Sequence, residues 1–450
     1  MEYFMSRITT SVLDHGAIAD GVSDDASAIQ RAIDFVHAAG GGRVIIPGGT
    51  RILAGSFQLK SHIDFHVAEG AVLLSATTIE AFPKRVFSYG EESEKRLWIG
   101  AENATDITMS GSGTIDGQCR AFALGETAYI FTPTHKWRPA LTCFENIQRI
   151  TVRDLTFRDA ANWTLHFCGC EDVEVHDVKI FNNLKFPNAD GIDPDHCRRV
   201  RIRGCHIISA DDCIVLKNTA PFAHYGPCED VEITECRLES ASAAFKIGSE
   251  SHSDCRRIRM SDCTIERSNR GLAIQLRDRG NVEDVEFRNI SISTQRFAPV
   301  WWGCGEAIYV TSLPRNSQTD VGRITNVRFY HINCEAENGV VVYGDPDDRI
   351  DELVFEEVHV GIVKRTEWPS GMFDLRPFQD GYSPKEAIPV GDKTPWGFLA
   401  WRPQAVFSIE GVKTIKVKDL TYALQVRDAA EWKVVRPESP SVGIHPVGVT

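Results

Sequence analysis

"VEVHDVKIF" (173–181), "VRIRGCHII" (200–208) and "VEITECRLE" (231–239) are three versions of one phrase: an apolar-polar-apolar triplet, a polar pair, then a second short apolar alternation. Alternation of period two marks strands, because successive side chains point to opposite faces. The triplets start at Ile150, Val173, Val200, Val231, Ile258, Val285, Val327 and Leu353, at intervals of 23, 27, 31, 27, 27, 42 and 26 residues. A period of this length, with no helical stripe inside it, predicts stacked units of several short strands each. The expectation is an all-β, single-stranded parallel β-helix, whose coils stack about 4.8 Å apart so that equivalent positions form columns.

A solenoid needs covered ends. The cap region is expected over 14–60, where DDASAIQRAIDFVHAA (24–39) sets Ile29, Ala32, Ile33 and Val36 on one helical face. Asp24 or Asp25 caps that helix and Gly40-Gly41-Gly42 stops it. Coils follow over 61–364, then an excursion over 365–410 that carries Trp368, Phe373, Phe378, Tyr382, Trp396, Phe398 and Trp401, then a last coil and tail over 411–450, all in one domain. Aromatic density of this kind suits a sugar cleft and a packed cover equally. The 42-residue interval holds a second insertion, FAPVWWGCGEAIYVTSLPR (297–315). Its Trp301, Trp302 and Glu306 are candidates for stacking on sugar rings and binding their hydroxyls, because insertions in a solenoid tend to lie over the binding face.

A net charge of -13 without any Lys/Arg cluster argues against nucleic acid or anionic lipid as partner. No apolar run approaches the length of a membrane span. The opening MEYFMSRITTSVLDHGA lacks a basic region followed by an apolar one, which predicts a cytoplasmic protein, or a secreted one had a leader been removed. Thirteen cysteines without zinc-type pairs read as buried, reduced thiols, and Cys168-Gly-Cys170 is too tight for ordinary structural zinc. Cys205, Cys236 and Cys263 each follow a triplet start and are expected inside the coil. No metal and no cofactor are expected.

Stacking GIDPD (191–195), CIVLK (213–217), AFKIG (244–248) and GLAIQ (271–275) puts Ile192, Ile214, Phe245 and Leu272 in one interior column and Leu216, Ile247 and Ile274 in another. This register sets Asp190 beside Asp212, followed by Ala243 and Arg270, and aligns Asp211 with Ser242 and Asn269. Carboxylates one strand spacing apart cannot all ionise cheaply, so at least one is expected to keep its proton. Acid–base cleavage of an acetal needs that pairing of a protonated and an ionised carboxyl group. Strict alternation would send Asp211 and Asp212 to opposite faces; a bend at Ser209-Ala210 would bring both to one side. Two other readings stand beside this one: a ladder of Asp and Asn satisfying turn backbones, and a calcium site of carboxylate oxygens.

At these residues the chain resembles the polygalacturonase family, glycoside hydrolase family 28. Asn188-Ala189-Asp190-Gly191 is similar to the family's Asn-Thr-Asp-Gly, and Asp211-Asp212-Cys213-Ile214 to its Asp-Asp-Cys-Ile. Asn162-Trp163-Thr164-Leu165-His166 resembles a tryptophan segment of bacterial members, and Ile247-Gly248-Ser249 also matches. DHGAIADGVSDDASAIQ, GGGRVIIPGG and VAEGAVLL resemble segments of pectin-degrading β-helices, so the likeness runs from about Asp14 to Val360. The resemblance implies a right-handed parallel β-helix and an inverting, metal-independent hydrolase. Asp211 would be its general acid, Asp190 with Asp212 would activate water, and Asn188, Trp163 and His166 would serve the substrate site.

Two family motifs are missing. The Gly-His-Gly stretch falls on Ser242-Ala243-Ala244, and the Arg-Ile-Lys stretch on Ala273-Ile274-Gln275. The cations that clamp a uronate carboxylate are therefore absent at those positions. Lys246, Gln275 and Arg277 are candidates to compensate, and His224 in the loop 218–227 to replace the lost histidine. The expected partner is an oligosaccharide or polysaccharide other than plain polygalacturonate. A polysaccharide lyase and a noncatalytic glycan-binding β-helix are the rival functions.

Overall fold

The computed structural model describes residues 8–82, 84–86, 94–133, 138–298, 303–345, 348–368, 372–374, 399–401, 404–427, 429–436 and 444–446. They belong to two compact units, Met1–Ile208 and Ser209–Thr450. Each unit is built of right-handed parallel β-helix coils, the hand expected wherever a parallel strand follows its neighbour by a crossover.

In the first unit the helix α1 (Ala26–Ala38) buries Ala28, Ile29, Ala32, Ile33 and Val36. Asp25 holds its N-cap position without a side-chain cap bond, while the preceding Asp24 carboxylate accepts the Ala26 N–H at 3.0 Å. The Asp25 carboxylate turns away and accepts from the N–H groups of Ile18 and Ala19 at 2.8 and 2.9 Å. Gly41 ends the helical stretch at φ +112°, where a Cβ would meet His62 Cβ at 2.5 Å, so no other residue fits.

The triplets pair as their spacing predicts. Ile150 lies opposite Val173 and Val173 opposite Val200 in the first unit. In the second, Val231, Ile258, Val285, Val327 and Leu353 form one column. The residue ahead of each triplet turns the chain in the left-handed region: Arg149, Asp172 and Arg199 at φ 64°, 56° and 55°, and Asp230, Arg257 and Asp284 at 57°, 57° and 63°. Behind the strands, Phe287 stacks on Phe329 at 5.1 Å and Phe329 on Phe355 at 4.9 Å, an aromatic column that fixes the register from within. Cys205, Cys236 and Cys263 are buried as expected, with Cys236 Sγ donating to Thr234 O at 3.3 Å and Cys263 Sγ to Ser261 O at 3.1 Å.

One face of each coil carries the residues of interest. In the first unit it comprises β1 (Pro139–Glu145), β2 (Leu165–Cys168) and β3 (Ile192–Asp195), paired in parallel. In the second it comprises β4 (Ile214–Asn218), β5 (Ala243–Ser251), β6 (Arg270–Leu276), β7 (Glu306–Ser312) and β8 (Asn338–Gly344). Ile214, Phe245 and Leu272 share a column here, as do Leu216, Ile247 and Ile274. Most of the excursion 365–410 lies outside the described residues; within it Met372–Asp374 pairs antiparallel with Leu399–Trp401.

Candidate active site

In the first unit the approach to β3 is held by an arginine. Asn188 sits in the left-handed region at φ 57°, a conformation its short polar side chain tolerates. Its Oδ1 accepts from Arg138 Nη2 at 2.6 Å, while the same guanidinium donates to Pro187 O at 3.0 Å and to Ala161 O at 2.6 Å. Asn182 ties the turn from below, donating to Thr164 Oγ1 at 2.8 Å and to Ala189 O at 3.0 Å. Asp190 follows, buried to 2% exposure, with its carbonyl accepting the Thr164 N–H at 2.9 Å.

In the second unit the backbone bends at Ala210 and Asp211 before β4 begins, which answers the alternation problem. Asp211 Oδ1 accepts the N–H of Asp212 at 3.1 Å, and its carbonyl accepts Ser240 Oγ at 2.7 Å. Asp212 is held from the next coil: its Oδ1 accepts Ser242 Oγ at 2.8 Å and the Ala243 N–H at 3.2 Å, and its Oδ2 accepts Lys246 Nζ at 2.7 Å. Burial pushes the Asp212 carboxyl up, but the charges of Lys246 and Lys217 and the hydrogen bonds from Lys246 and Ser242 outweigh it and hold the group below its ordinary 3.8. Buried to 1% exposure, Asp212 is thus held toward its ionised form by the lysines and Ser242.

A family model described as "Glycosyl hydrolases family 28" matches residues 52–368, the stretch containing both acidic motifs. The chain belongs to this family. A probable polygalacturonase of Vitis vinifera is 29% identical over 320 residues, which are 66% of this chain and 63% of that protein, so the chain spans under two thirds of its length. Among solved structures, a family 28 exopolygalacturonase of Yersinia enterocolitica is similar over 98% of this chain and 77% of its own, with TM-score 0.65 and 14% identity. An endo-xylogalacturonan hydrolase of Aspergillus tubingensis is similar over 80% and 97%, with TM-score 0.55 and 14% identity.

The column beside Lys246 is apolar. Lys246, Ala273, Tyr309 and Val341 follow one another in register, and Ala243, Ala273, Tyr309 and Val341 pack as one buried cluster. The remaining predicted contacts divide by exposure. Gln275 and Arg277 are buried, with Arg277 N–H donating to Ser251 Oγ at 3.3 Å. Glu306 lies inside, where its Oε2 accepts the Cys304 N–H at 2.7 Å and faces Arg270 Nε at 3.5 Å. Trp163 is buried edge-on against His166, with ring centroids 4.5 Å apart. His166 is 1% exposed and turned to Asp195, Nε2 to Oδ2 3.2 Å. His224 stands exposed on the short helix Ala220–Tyr225, its ring 4.0 Å from Tyr225. Trp301 and Trp302 lie outside the described residues.

Three groups escaped the sequence reading. Arg138 carried no motif. Ser242 aligns with Asp211 in the register read from the sequence, yet its hydroxyl bonds Asp212. Arg270 stood in the aspartate column without a role; its guanidinium lies over the Tyr309 ring at 4.0 Å, and that column position was the one signal available.

Proposed function

We propose that this chain is an inverting glycoside hydrolase of pectin-type oligosaccharides, with Asp211 as general acid and Asp190 and Asp212 jointly orienting and deprotonating the attacking water. The observation that carries this reading is the setting of Asp212: a buried carboxylate kept ionised by Lys246 and Ser242. An ionised carboxylate fixed by three donors is suited to drawing a proton from water, and the adjoining Asp211 to delivering one to the leaving oxygen. Asp190 and Asp212 stand alike in their coils, two residues ahead of Ile192 and of Ile214, which supports their acting as one set. Asn188, fixed by Arg138, shapes the turn that carries Asp190.

The substrate we infer is not plain polygalacturonate. A uronate at the cleavage point calls for a bidentate arginine or a lysine, and Ala273 and Gln275 occupy those places. A neutral sugar such as rhamnose, or a substituted pectic oligosaccharide, needs no such clamp. A panel of pectic oligosaccharides assayed for new reducing ends tests this. The wild-type protein is expected to cleave members with a neutral or substituted residue, and Asp211→Asn to bind them without cleavage. An unsaturated product would instead mark a lyase. Binding without turnover in the wild type would mark a noncatalytic glycan binder.

A further inference from the structure

We propose that Cys143, His166 and Cys168 form a site for a borderline-soft divalent cation, zinc being the natural occupant, with Asp195 set against the imidazole. The four residues come from β1, β2 and β3 and are all buried to 1% exposure or less. Cys143 Sγ lies 3.8 Å from Cys168 Sγ, Cys168 Sγ 3.1 Å from His166 Nε2, and His166 Nε2 3.2 Å from Asp195 Oδ2. Donors bound tetrahedrally at zinc's usual bond lengths stand apart by about 3.8 Å for two sulfurs and about 3.6 Å for sulfur and nitrogen. The sulfur–sulfur spacing already fits, and the sulfur–nitrogen contact opens by about half an ångström on binding.

Neighbouring cysteines show what the ordinary alternative looks like. Cys170 Sγ donates to Phe144 O at 3.2 Å and Cys197 Sγ to Phe167 O at 3.3 Å, each spending its thiol on a backbone carbonyl. The sulfurs of Cys143 and Cys168 approach each other, and that of Cys168 an imidazole. They are ill placed for a disulfide. Cys143 pairs with His166 in register, which leaves Cys168 two residues further along. The resulting Cα separation is about 8 Å, from strand spacing and rise, beyond the range a disulfide spans. Two sulfurs that meet while their backbones stay apart suit a bridging ion. Asp195, 3.2 Å from His166 Nε2, is the kind of outer support that metal-binding imidazoles carry. Binding would release the protons of both thiols to solvent, with no change of oxidation state.

The inference stands apart from the hydrolase reading. To test it, the full chain is freed of metal with a chelator under reducing conditions and titrated with Co²⁺. Expected are thiolate-to-cobalt absorption in the near ultraviolet, saturation at about one cobalt per chain, and loss of the band on adding zinc. Asp195→Asn should weaken binding about 10–100-fold. The double variant Cys143→Ser, Cys168→Ser should abolish the band, and Cys334→Ser, which removes a buried thiol of the second unit, should leave it intact. A wild-type protein that gives no thiolate band and loses its zinc on dialysis overturns the proposal, and that reading does not depend on any variant folding. A band that persists in the double variant overturns it too.

Discussion

In the first unit two thiols, an imidazole and a carboxylate converge from three strands, whereas in the second Asp211 and Asp212 are chain neighbours that draw Ser242 and Lys246 from the next coil. Both clusters are buried polar groups on the same kind of sheet face, and both cost desolvation that only close partners can offset. They are assembled differently. Stacking alone makes the first, so nothing in any short stretch announces it. The second has its reactive pair in consecutive residues, and stacking supplies only the groups that tune it. The coil is therefore a device for adding partners at strand spacing to whatever a single turn presents.

The largest expected effect falls on the second cluster. Asp211→Asn should lower turnover about 10²–10⁴-fold while thermal unfolding moves little, since the amide keeps the hydrogen bond to the Asp212 N–H. A variant that unfolds as readily as it loses activity would make Asp211 structural. Next is Lys246→Ala, which leaves the Asp212 carboxylate buried without its countercharge. Denaturant titration should show a loss of about 3–5 kcal/mol. Pairing Lys246→Met with Asp212→Asn should recover most of it, because the cost lies in the orphaned charge.

A smaller, graded effect comes with acid. Asp212 is held below its ordinary 3.8 for the reasons given; Asp278, despite burial, is held low by Arg315. A depressed carboxylate contributes fully above its unfolded value and loses that contribution as pH falls through the folded one. Unfolding midpoints should thus be flat down to about pH 4 and fall below it; a profile flat to pH 2 would deny both pairs a role. The smallest effect is at the rim. Arg199 bonds Asp172 at 2.7 Å but is half exposed, so Arg199→Ala should change stability by no more than about 0.5 kcal/mol in the same titration.

The fold was legible because its signal repeats. The column from Val231 to Leu353 follows from the triplet spacing, and the Phe245 and Ile247 registers follow from aligning five-residue stretches. The bend ahead of β4 could be inferred from the need to bring two adjacent aspartates to one face. Partners that long side chains reach were not legible. Arg138 binds a turn 50 positions away, and Glu306 faces Arg270 where its place in an aromatic insertion suggests a sugar contact. Of the two cap candidates Asp25 holds the N-cap position, but its carboxylate is drawn off to the N–H groups of Ile18 and Ala19, a long-range pull that local sequence does not show. Cysteine spacing along the chain compares residues of one strand, whereas Cys143 and Cys168 meet across two.

The most direct test is proton NMR of the first sugar released from a cleaved pectic oligosaccharide, followed before mutarotation. The wild-type protein should yield the anomer opposite to the bond it cut, and Asp211→Asn should yield none in the same interval. Release of the retained anomer, or undiminished release by Asp211→Asn, would contradict a mechanism in which Asp211 gives the proton and an ionised Asp212 helps water attack from the other side.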